Sequence, residues 1–146
     1  NNYFNILSVI KFEKTRVSFA RKVSINITVK RYYMENQVQL NAERIELLNK
    51  FKEAVPQFMA AEAEVIELAY KEGALSSKIK RLIAMAVALK VGCTNCILAQ
   101  TERALAEGAT KDEILETLQV LVAIGGTTGI AESLRVIKFL DELGHL

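Results

Sequence analysis

The sequence predicts an all-α protein of about six helices, and three features of the chain predict this fold. From residue 41 onward the chain is dominated by Ala, Leu, Ile, Glu and Lys, which favour helices. Apolar residues there recur every three to four positions, which is the period of one helix face. Glycines and the single proline separate these stretches at short intervals, as packed antiparallel helices require.

The first two predicted helices are bounded by proline and glycine. An apolar stripe predicts a helix over about 41–54, which ends before Pro56 because proline disfavours helical backbone in the residue before it. A second apolar stripe predicts a helix over about 57–71. Gly73 is the expected stop of this second helix, since glycine readily adopts the left-handed conformation that follows a helix end.

The third predicted helix, about 77–91, is the most apolar of the set. Ser76 or Ser77 caps its first turn, because a serine hydroxyl accepts a hydrogen bond from a backbone N–H that has no partner within the helix. Apolar residues cover most of its surface after Arg81, so we expect it to be deeply buried. A domain of six helices can hardly bury every face of such a helix, and we therefore expect a dimer or a larger ring.

The fourth and fifth helices are predicted from their first turns and their ends. The fourth, about 94–107, opens at the two cysteines and ends at Gly108. Thr110 and Glu113 have the spacing of a capping box, in which each side chain accepts a bond from the other residue's backbone N–H. This spacing predicts a helix over about 111–124.

A glycine-rich segment, Gly-Gly-Thr-Thr-Gly at 125–129, breaks the pattern or begins a sixth helix that runs to about Leu143. It lacks the spacing of a Walker-type loop and the strand–helix setting of a dinucleotide-binding loop. We therefore expect its small residues to allow a tight turn or a close approach of two helices, and we do not expect them to bind phosphate.

Residues 1–33 differ from the rest of the chain. They hold seven Lys or Arg residues and one Glu, and a partial alternation of apolar and polar residues indicates extended structure. Three interpretations compete: an extension foreign to the domain with Met34 as the real beginning, a basic targeting sequence, or an arm that packs on a neighbouring subunit. We favour the first and expect the functional domain over 34–146.

Charge, hydropathy and cysteine content favour neither a nucleic acid nor a membrane as partner. The net charge is +2, and the basic groups of 1–33 neither share one helical face nor accompany a nucleic-acid motif. No apolar run approaches the roughly 20 residues of a membrane span. Two cysteines are too few for a secreted disulfide scaffold, so we expect a cytoplasmic protein.

The motif that carries chemistry is the pair Cys93 and Cys96. Their spacing places both thiols on one face of the fourth helix, at its N-terminus. Unpaired backbone N–H groups there favour the thiolate, which is the reactive form. One thiolate can attack the O–O bond of a peroxide and become a sulfenic acid, and the second thiol then condenses with it to a disulfide. The alternative is a pair of buried, inert cysteines.

Zinc is the other common use of two cysteines at this spacing. A structural zinc site usually has four ligands, whereas the chain has no second pair and only one histidine, His145. A zinc site would need a symmetric dimer that contributes both pairs. We therefore expect neither a metal nor a cofactor.

Three stretches of the chain carry a family likeness: LSSKIKRLIAMAVALKVGCTNCI at 75–97, ALAEGATKDEI at 104–114, and the glycine pair at 125–126. Together they resemble the carboxymuconolactone decarboxylase family, and the cysteine motif resembles that of its alkylhydroperoxidase, or AhpD-like, branch. The likeness covers about 75–143 and is weaker from about residue 41. It implies an all-helical fold that forms dimers and often hexameric rings of three dimers.

The resemblance also implies peroxide reduction by the cysteine pair. By analogy Cys96 attacks the peroxide, and Cys93, nearer the surface, resolves the sulfenic acid and exchanges with an external reductant. In the family this reductant can be a lipoyl-type dithiol, and the protein can serve a partner peroxiredoxin.

Three positions depart from the active branch of the family. That branch places a Glu twelve residues before the first cysteine, a His just before the second and a His four residues after it. Here these positions hold Arg81, Asn95 and Gln100, none of which accepts a proton at neutral pH as Glu or His does. Arg81 can still lower the pKa of a thiol if it points at the pair, and Gln100 can donate a hydrogen bond to the sulfur of Cys96.

The sequence thus predicts a thiol-dependent peroxidase with Cys96 and Cys93 as catalytic residues and Arg81, Asn95 and Gln100 as candidate thiol-tuning residues. The alternative is a non-catalytic redox sensor or oligomeric interaction protein on the same scaffold, because all three relay residues are replaced. A lactone decarboxylase is favoured less, since that branch is expected to use a histidine base and no matching core histidine exists here.

Overall fold

Five helices follow one another in a computed structural model that describes residues 35–146. They are α1 (Gln37–Ala54), α2 (Pro56–Tyr70), α3 (Ser77–Val91), α4 (Thr94–Ala106) and α5 (Lys111–Glu142). The predicted all-α fold is confirmed for this part of the chain. The predicted extension 1–33 and its boundary at Met34 lie outside the described residues.

Side-chain caps set where α1 and α3 begin. The side chain of Asn36 accepts a hydrogen bond from the backbone N–H of Gln39 at 2.7 Å, so α1 starts four residues before the predicted start. The hydroxyl of Ser76 accepts from the backbone N–H of Ile79 at 3.3 Å, which makes Ser76 the cap of α3 and places Ser77 inside the helix.

Glu113 fixes the start of α5 and joins it to α3. Its backbone N–H donates to Thr110 Oγ1 at 3.2 Å and its carboxylate accepts from the Thr110 N–H at 2.8 Å, which confirms the predicted capping box. The ammonium of Lys78 on α3 lies 2.7 Å from the other carboxylate oxygen. The bond from Lys78, followed by that from Thr110, lowers the pKa of Glu113. The stability that the ionised Glu113 carboxylate contributes through these bonds is therefore present at neutral pH. It is lost as the pH falls through the lowered pKa of Glu113.

The fifth and sixth predicted helices form a single element with a kink. α5 spans 32 residues, and inside it Gly126 has φ 56° and ψ −138°, a backbone conformation almost confined to glycine. Beyond the kink the backbone approaches the preceding segment so closely that a Cβ added to Gly129 would lie 2.9 Å from the carbonyl oxygen of Leu121. The fifth and sixth predicted helices are therefore both present as the two halves of α5, and they join directly at Gly126 without an intervening loop.

The hydrophobic core lies where α3, α4 and α5 meet. Its most deeply buried members come from all three helices: Met85, Leu89, Ile97, Leu98, Ile114, Val136 and Leu140. The other side of α3 is exposed, with Ile83 at 49%, Val87 at 57% and Val91 at 73% of their full surface. The expected deep burial of α3 is therefore wrong for one copy of the chain. These unburied apolar side chains are consistent with the expected assembly, which stays a prediction.

The two ends of the α1–α2 hairpin are held very differently. Glu142 at the end of α5 accepts hydrogen bonds from the backbone N–H groups of Gln37 at 2.6 Å and Val38 at 2.9 Å, where a carboxylate also suits the positive end of the helix dipole. Arg135 donates to the side chain of Gln37 at 2.9 Å. By contrast, α2 contributes no buried residue to the described structure.

By length and composition, α5 is also long and apolar enough to cross a membrane. The mean hydropathy of its most apolar window is 1.5, and 22% of that window is buried. Among residues 35–146, α5 is the one helix with these properties. The core helix of a soluble protein passes the same test, so this single helix is weak support for a membrane span.

Alanine substitutions at the kink test its dependence on glycine. We expect Gly126→Ala to lower the free energy of unfolding by about 1–3 kcal/mol because of its positive φ. Gly129→Ala should also cost about 1–3 kcal/mol, because the new Cβ meets backbone. Gly125→Ala is the matched control: its added Cβ has no neighbour within 4 Å, so it should be neutral or stabilising by up to about 1 kcal/mol. Urea unfolding measures all three, and equal stabilities would contradict the structural role of the kink.

Candidate redox site

Cys93 and Cys96 form a disulfide at the start of α4. Cys93 is the N-cap residue of this helix, and its sulfur accepts a hydrogen bond from the backbone N–H of Cys96 at 3.3 Å. Gly92 ends α3 with a φ of 74°, and this left-handed turn leads directly into the cap. Only two residues therefore separate α3 from α4, and the pair lies at a helix N-terminus as its spacing predicts.

The two cysteines differ in exposure. Cys96 is exposed and Cys93 is half-buried, which is the reverse of the expected order within one copy of the chain. The residues that follow, Ile97 and Leu98, are fully buried and hold α4 in the core. The disulfide therefore lies at the solvent-facing end of a helix whose next turn is fixed by packing.

Cys96 also lines a groove of about 640 Å³ between α1, α2 and α4, which we call the Cys96 groove. Much of its lining is apolar: Leu47, Leu48, Phe51, Met59, Ala63, Ile66 and Ala99. Its polar and charged lining residues are Arg44, Lys52, Glu62, Asn95, Gln100 and Arg103. One of the two sulfur-bearing residues thus opens onto a space of the size that binds small molecules.

Arg81 contacts neighbouring helices and does not bond to the sulfurs. Its Nη1 donates to the side-chain oxygen of Gln100 on α4 at 3.3 Å, and its guanidinium lies 3.4 Å from the centre of the Tyr70 ring on α2. Among the described residues it forms no hydrogen bond with Cys93 or Cys96. Burial, followed by the nearby charge of Arg103, lowers the pKa of Arg81, which nevertheless stays charged at neutral pH.

The structure therefore brings two of the three candidate tuning residues into contact. Arg81 and Gln100 meet on adjacent helices, and Gln100 also lines the Cys96 groove. Asn95 lies between the cysteines, is exposed and lines the same groove. None of the three accepts a proton as Glu or His does, so any effect on the sulfur comes from charge or a donated hydrogen bond.

Sequence reasoning missed the four charged residues of the groove. Arg103 lies seven residues after Cys96, which is two helical turns on the same face, and this spacing could have identified it. Arg44 and Lys52 belong to α1 and Glu62 to α2. No local spacing relates these three to α4, because only the tertiary fold brings the helices together.

A metal is not suggested by the residues that surround the pair. Within 35–146 no group of three or more His, Cys, Asp or Glu side chains is arranged so that it could hold a metal ion.

Residues 56–139 match the sequence model of the carboxymuconolactone decarboxylase family. The chain belongs to this family. An uncharacterized protein of Cupriavidus necator is 33% identical over 91 residues, which are 62% of this chain and 80% of that protein. A Paracoccus denitrificans protein named as uncharacterized protein 4 in the cox locus is 32% identical over 77 residues, or 53% of this chain and 69% of the relative.

Solved structures of carboxymuconolactone decarboxylase family proteins share the fold. The apo form of such a protein from Legionella pneumophila has a TM-score of 0.68 and 30% identity, and the match covers 73% of this chain and 95% of that one. One from Thermotoga maritima, for which a part in the antioxidative response is suggested, has a TM-score of 0.59 and 28% identity over 70% of this chain and 90% of its own. The predicted family and fold are thereby confirmed.

A double-mutant cycle tests the contact between Arg81 and Tyr70. We expect Arg81→Met and Tyr70→Leu to be coupled by about 0.5–1 kcal/mol in unfolding free energy, because the guanidinium lies over the ring. Arg81→Lys is the charge-preserving control and should retain only part of this coupling, since an ammonium lacks the planar group that stacks. Chemical denaturation measures the cycle, and additive losses would show that the contact contributes nothing.

Proposed function

We propose that the protein reduces peroxides with the Cys93–Cys96 dithiol, in the manner of the AhpD-like branch of its family. The observation that carries this proposal is a disulfide at a helix N-terminus whose Cys96 residue opens onto the Cys96 groove. The suggested antioxidative part of the Thermotoga maritima relative supports the same chemistry.

The proposed reaction begins at Cys96. Its thiolate attacks the terminal oxygen of a hydroperoxide, so that an S–O bond forms while the O–O bond breaks and the alkoxide leaves as an alcohol after taking up a proton. The thiol of Cys93 then attacks the sulfenic sulfur, and the S–S bond forms with release of water. A lipoyl-type dithiol reduces this disulfide by exchange, and the reduced pair can also serve a partner peroxiredoxin.

The two sulfurs suit different parts of this cycle. Cys96 faces the groove in which a substrate can lie. The sulfur of Cys93 accepts a hydrogen bond from the backbone N–H of Cys96. The same hydrogen bond would stabilise the Cys93 thiolate when it leaves during thiol–disulfide exchange. Gln100, whose side-chain oxygen is bonded to Arg81, has its amide nitrogen left to donate towards the substrate or the sulfur. These donors replace the Glu and His of the active branch without supplying a base.

The absence of a base at Arg81, Asn95 and Gln100 favours a second candidate function. In it the pair is a redox sensor or part of an oligomeric interaction protein, oxidised slowly and without catalytic turnover. In either case we propose a cytoplasmic homo-oligomer, a dimer or a hexamer of three dimers. The exposed apolar side chains of α3 and α5 support an assembly of this kind.

Intact-mass measurements distinguish the two candidates. We expect reduced protein to lose two hydrogens rapidly after sub-stoichiometric peroxide, because the pair closes to a disulfide. Cys93→Ser should instead gain one oxygen, since only the attacking thiol remains, and Cys96→Ser should show neither change. Thr94→Ser, in the same helical turn, is the control and should behave as the unchanged protein. Oxidation that is slow, or that either cysteine variant leaves unaltered, would contradict the peroxidase and favour the sensor.

A further inference from the structure

We propose that the Cys96 groove binds a fatty-acid hydroperoxide, with the carboxylate at Arg103 and the acyl chain along the apolar lining. This inference rests on the proposed peroxide reduction and deepens it by naming the substrate class. It depends on three features of the groove: its apolar lining, the charge of Arg103 and the spacing between Arg103 and Cys96.

The apolar lining matches an acyl chain. Leu47 and Phe51 of α1 keep 63% and 52% of their surface exposed, so a bound chain would remove apolar surface from water. Met59 and Ile66 of α2 extend the same lining on the other helix. The volume of about 640 Å³ lies in the range of small-molecule sites and is far larger than hydrogen peroxide requires.

Arg103 provides the charge that would hold the carboxylate. Arg44, the neighbouring arginine in the groove, is already bonded to Glu102 at 3.1 Å and to Asn41 at 2.9 Å. Among the described residues Arg103 forms no ion pair. Burial lowers the pKa of Arg44 most, the charge of Glu102 opposes this, and the charge of Arg103 makes a smaller lowering contribution because the two guanidinium groups repel each other. A bound anion would relieve this repulsion, and arginine binds carboxylates through two parallel hydrogen bonds.

The remaining charges of the groove partly oppose each other. Lys52 adds a second basic group on α1, and Glu62 on α2 adds an acidic one. With Arg44 paired to Glu102, the unpaired positive charge is concentrated at Arg103 and Lys52. An amphipathic anion therefore suits the groove better than a neutral apolar molecule or a cation does.

The spacing along α4 selects the length of the ligand. Arg103 lies seven residues after Cys96, which corresponds to about 10 Å along the helix axis. One ligand reaches both residues only if its carboxylate and its hydroperoxide are separated by a similar length. A fatty acyl chain provides that separation, whereas hydrogen peroxide and short alkyl hydroperoxides do not.

Binding is tested first without any redox chemistry. Linoleic acid and its methyl ester are titrated into the full-length oxidised protein by displacement of a fluorescent fatty acid. We expect Arg103→Gln to weaken linoleic acid binding about tenfold and to leave the methyl ester unaffected. Arg103→Lys keeps the positive charge and should lose less affinity for linoleic acid than Arg103→Gln does. Lys111→Gln, an exposed residue outside the groove, is the matched control, and Glu62→Gln should strengthen acid binding because it removes the acidic group of the groove.

Kinetics with linoleic acid hydroperoxide and its methyl ester then test the reacting complex. The preference of the reduced protein for the acid over the ester should fall about tenfold in Arg103→Gln and persist in Lys111→Gln. Circular dichroism verifies that each variant is folded, and Arg103→Lys replaces Arg103→Gln if the latter is not.

The outcomes distinguish a failure of this inference from a failure of the proposed peroxide reduction. If small peroxides oxidise the cysteine pair but linoleic acid does not bind, or binds independently of Arg103, the inference is wrong and the peroxidase stands. If linoleic acid binds through Arg103 but no peroxide oxidises the pair, the peroxidase is wrong and the groove is a fatty-acid site only. If a second copy of the chain covers the groove, linoleic acid binds only as the oligomer dissociates, which also overturns the inference.

Discussion

The structure of the site depends on the two-residue turn between α3 and α4. Gly92 takes a left-handed conformation that residues with a Cβ adopt only at a cost, and Cys93 follows it as the cap of the next helix. Because α3 and α4 are both anchored in the core, through Leu89 and Ile97, this turn has little freedom. The turn at Gly92 and Cys93 therefore determines three features of the site. These are the disulfide, its hydrogen bond to the helix N-terminus and its position at the edge of the groove.

The residues around the cysteines offer charge and hydrogen-bond donors to the pair but no base. Arg81 and Gln100, which hold two of the positions where the resemblance leads us to expect a Glu and a His, are in contact across adjacent helices. A fixed positive charge and an amide donor stabilise an anion at any pH near neutrality, whereas a histidine would do so only when protonated. In the proposed peroxidase, activation of the thiol would therefore rest on permanent dipoles and charges, which cannot carry a proton away.

Local signals in the sequence predicted much of the fold. Helix caps and stops act within one helical turn, so their effects can be inferred from neighbouring residues alone. Examples are Ser76, Gly92 and the capping box of Thr110 and Glu113. The kink at Gly126 could not be separated from a loop, since a glycine-rich segment permits both. The groove was missed because Arg44 and Glu62 reach α4 only through tertiary packing. Within one copy of the chain the order of exposure of the two cysteines is the reverse of the expected one for the same reason, because exposure depends on distant helices.

The unequal anchoring of the α1–α2 hairpin has a consequence for molecular recognition. α1 is bound to the end of α5 through Glu142, whereas α2 has no buried residue and joins α1 at the two adjacent residues Val55 and Pro56. One wall of the groove is therefore tied to α5 by hydrogen bonds, whereas the other is packed only partly against its neighbours. Because an element with no buried residue opens at the lowest free-energy cost, α2 is the wall that we expect to adjust to a molecule entering the groove. Such an adjustment would carry an entropic cost, because binding would immobilise that wall.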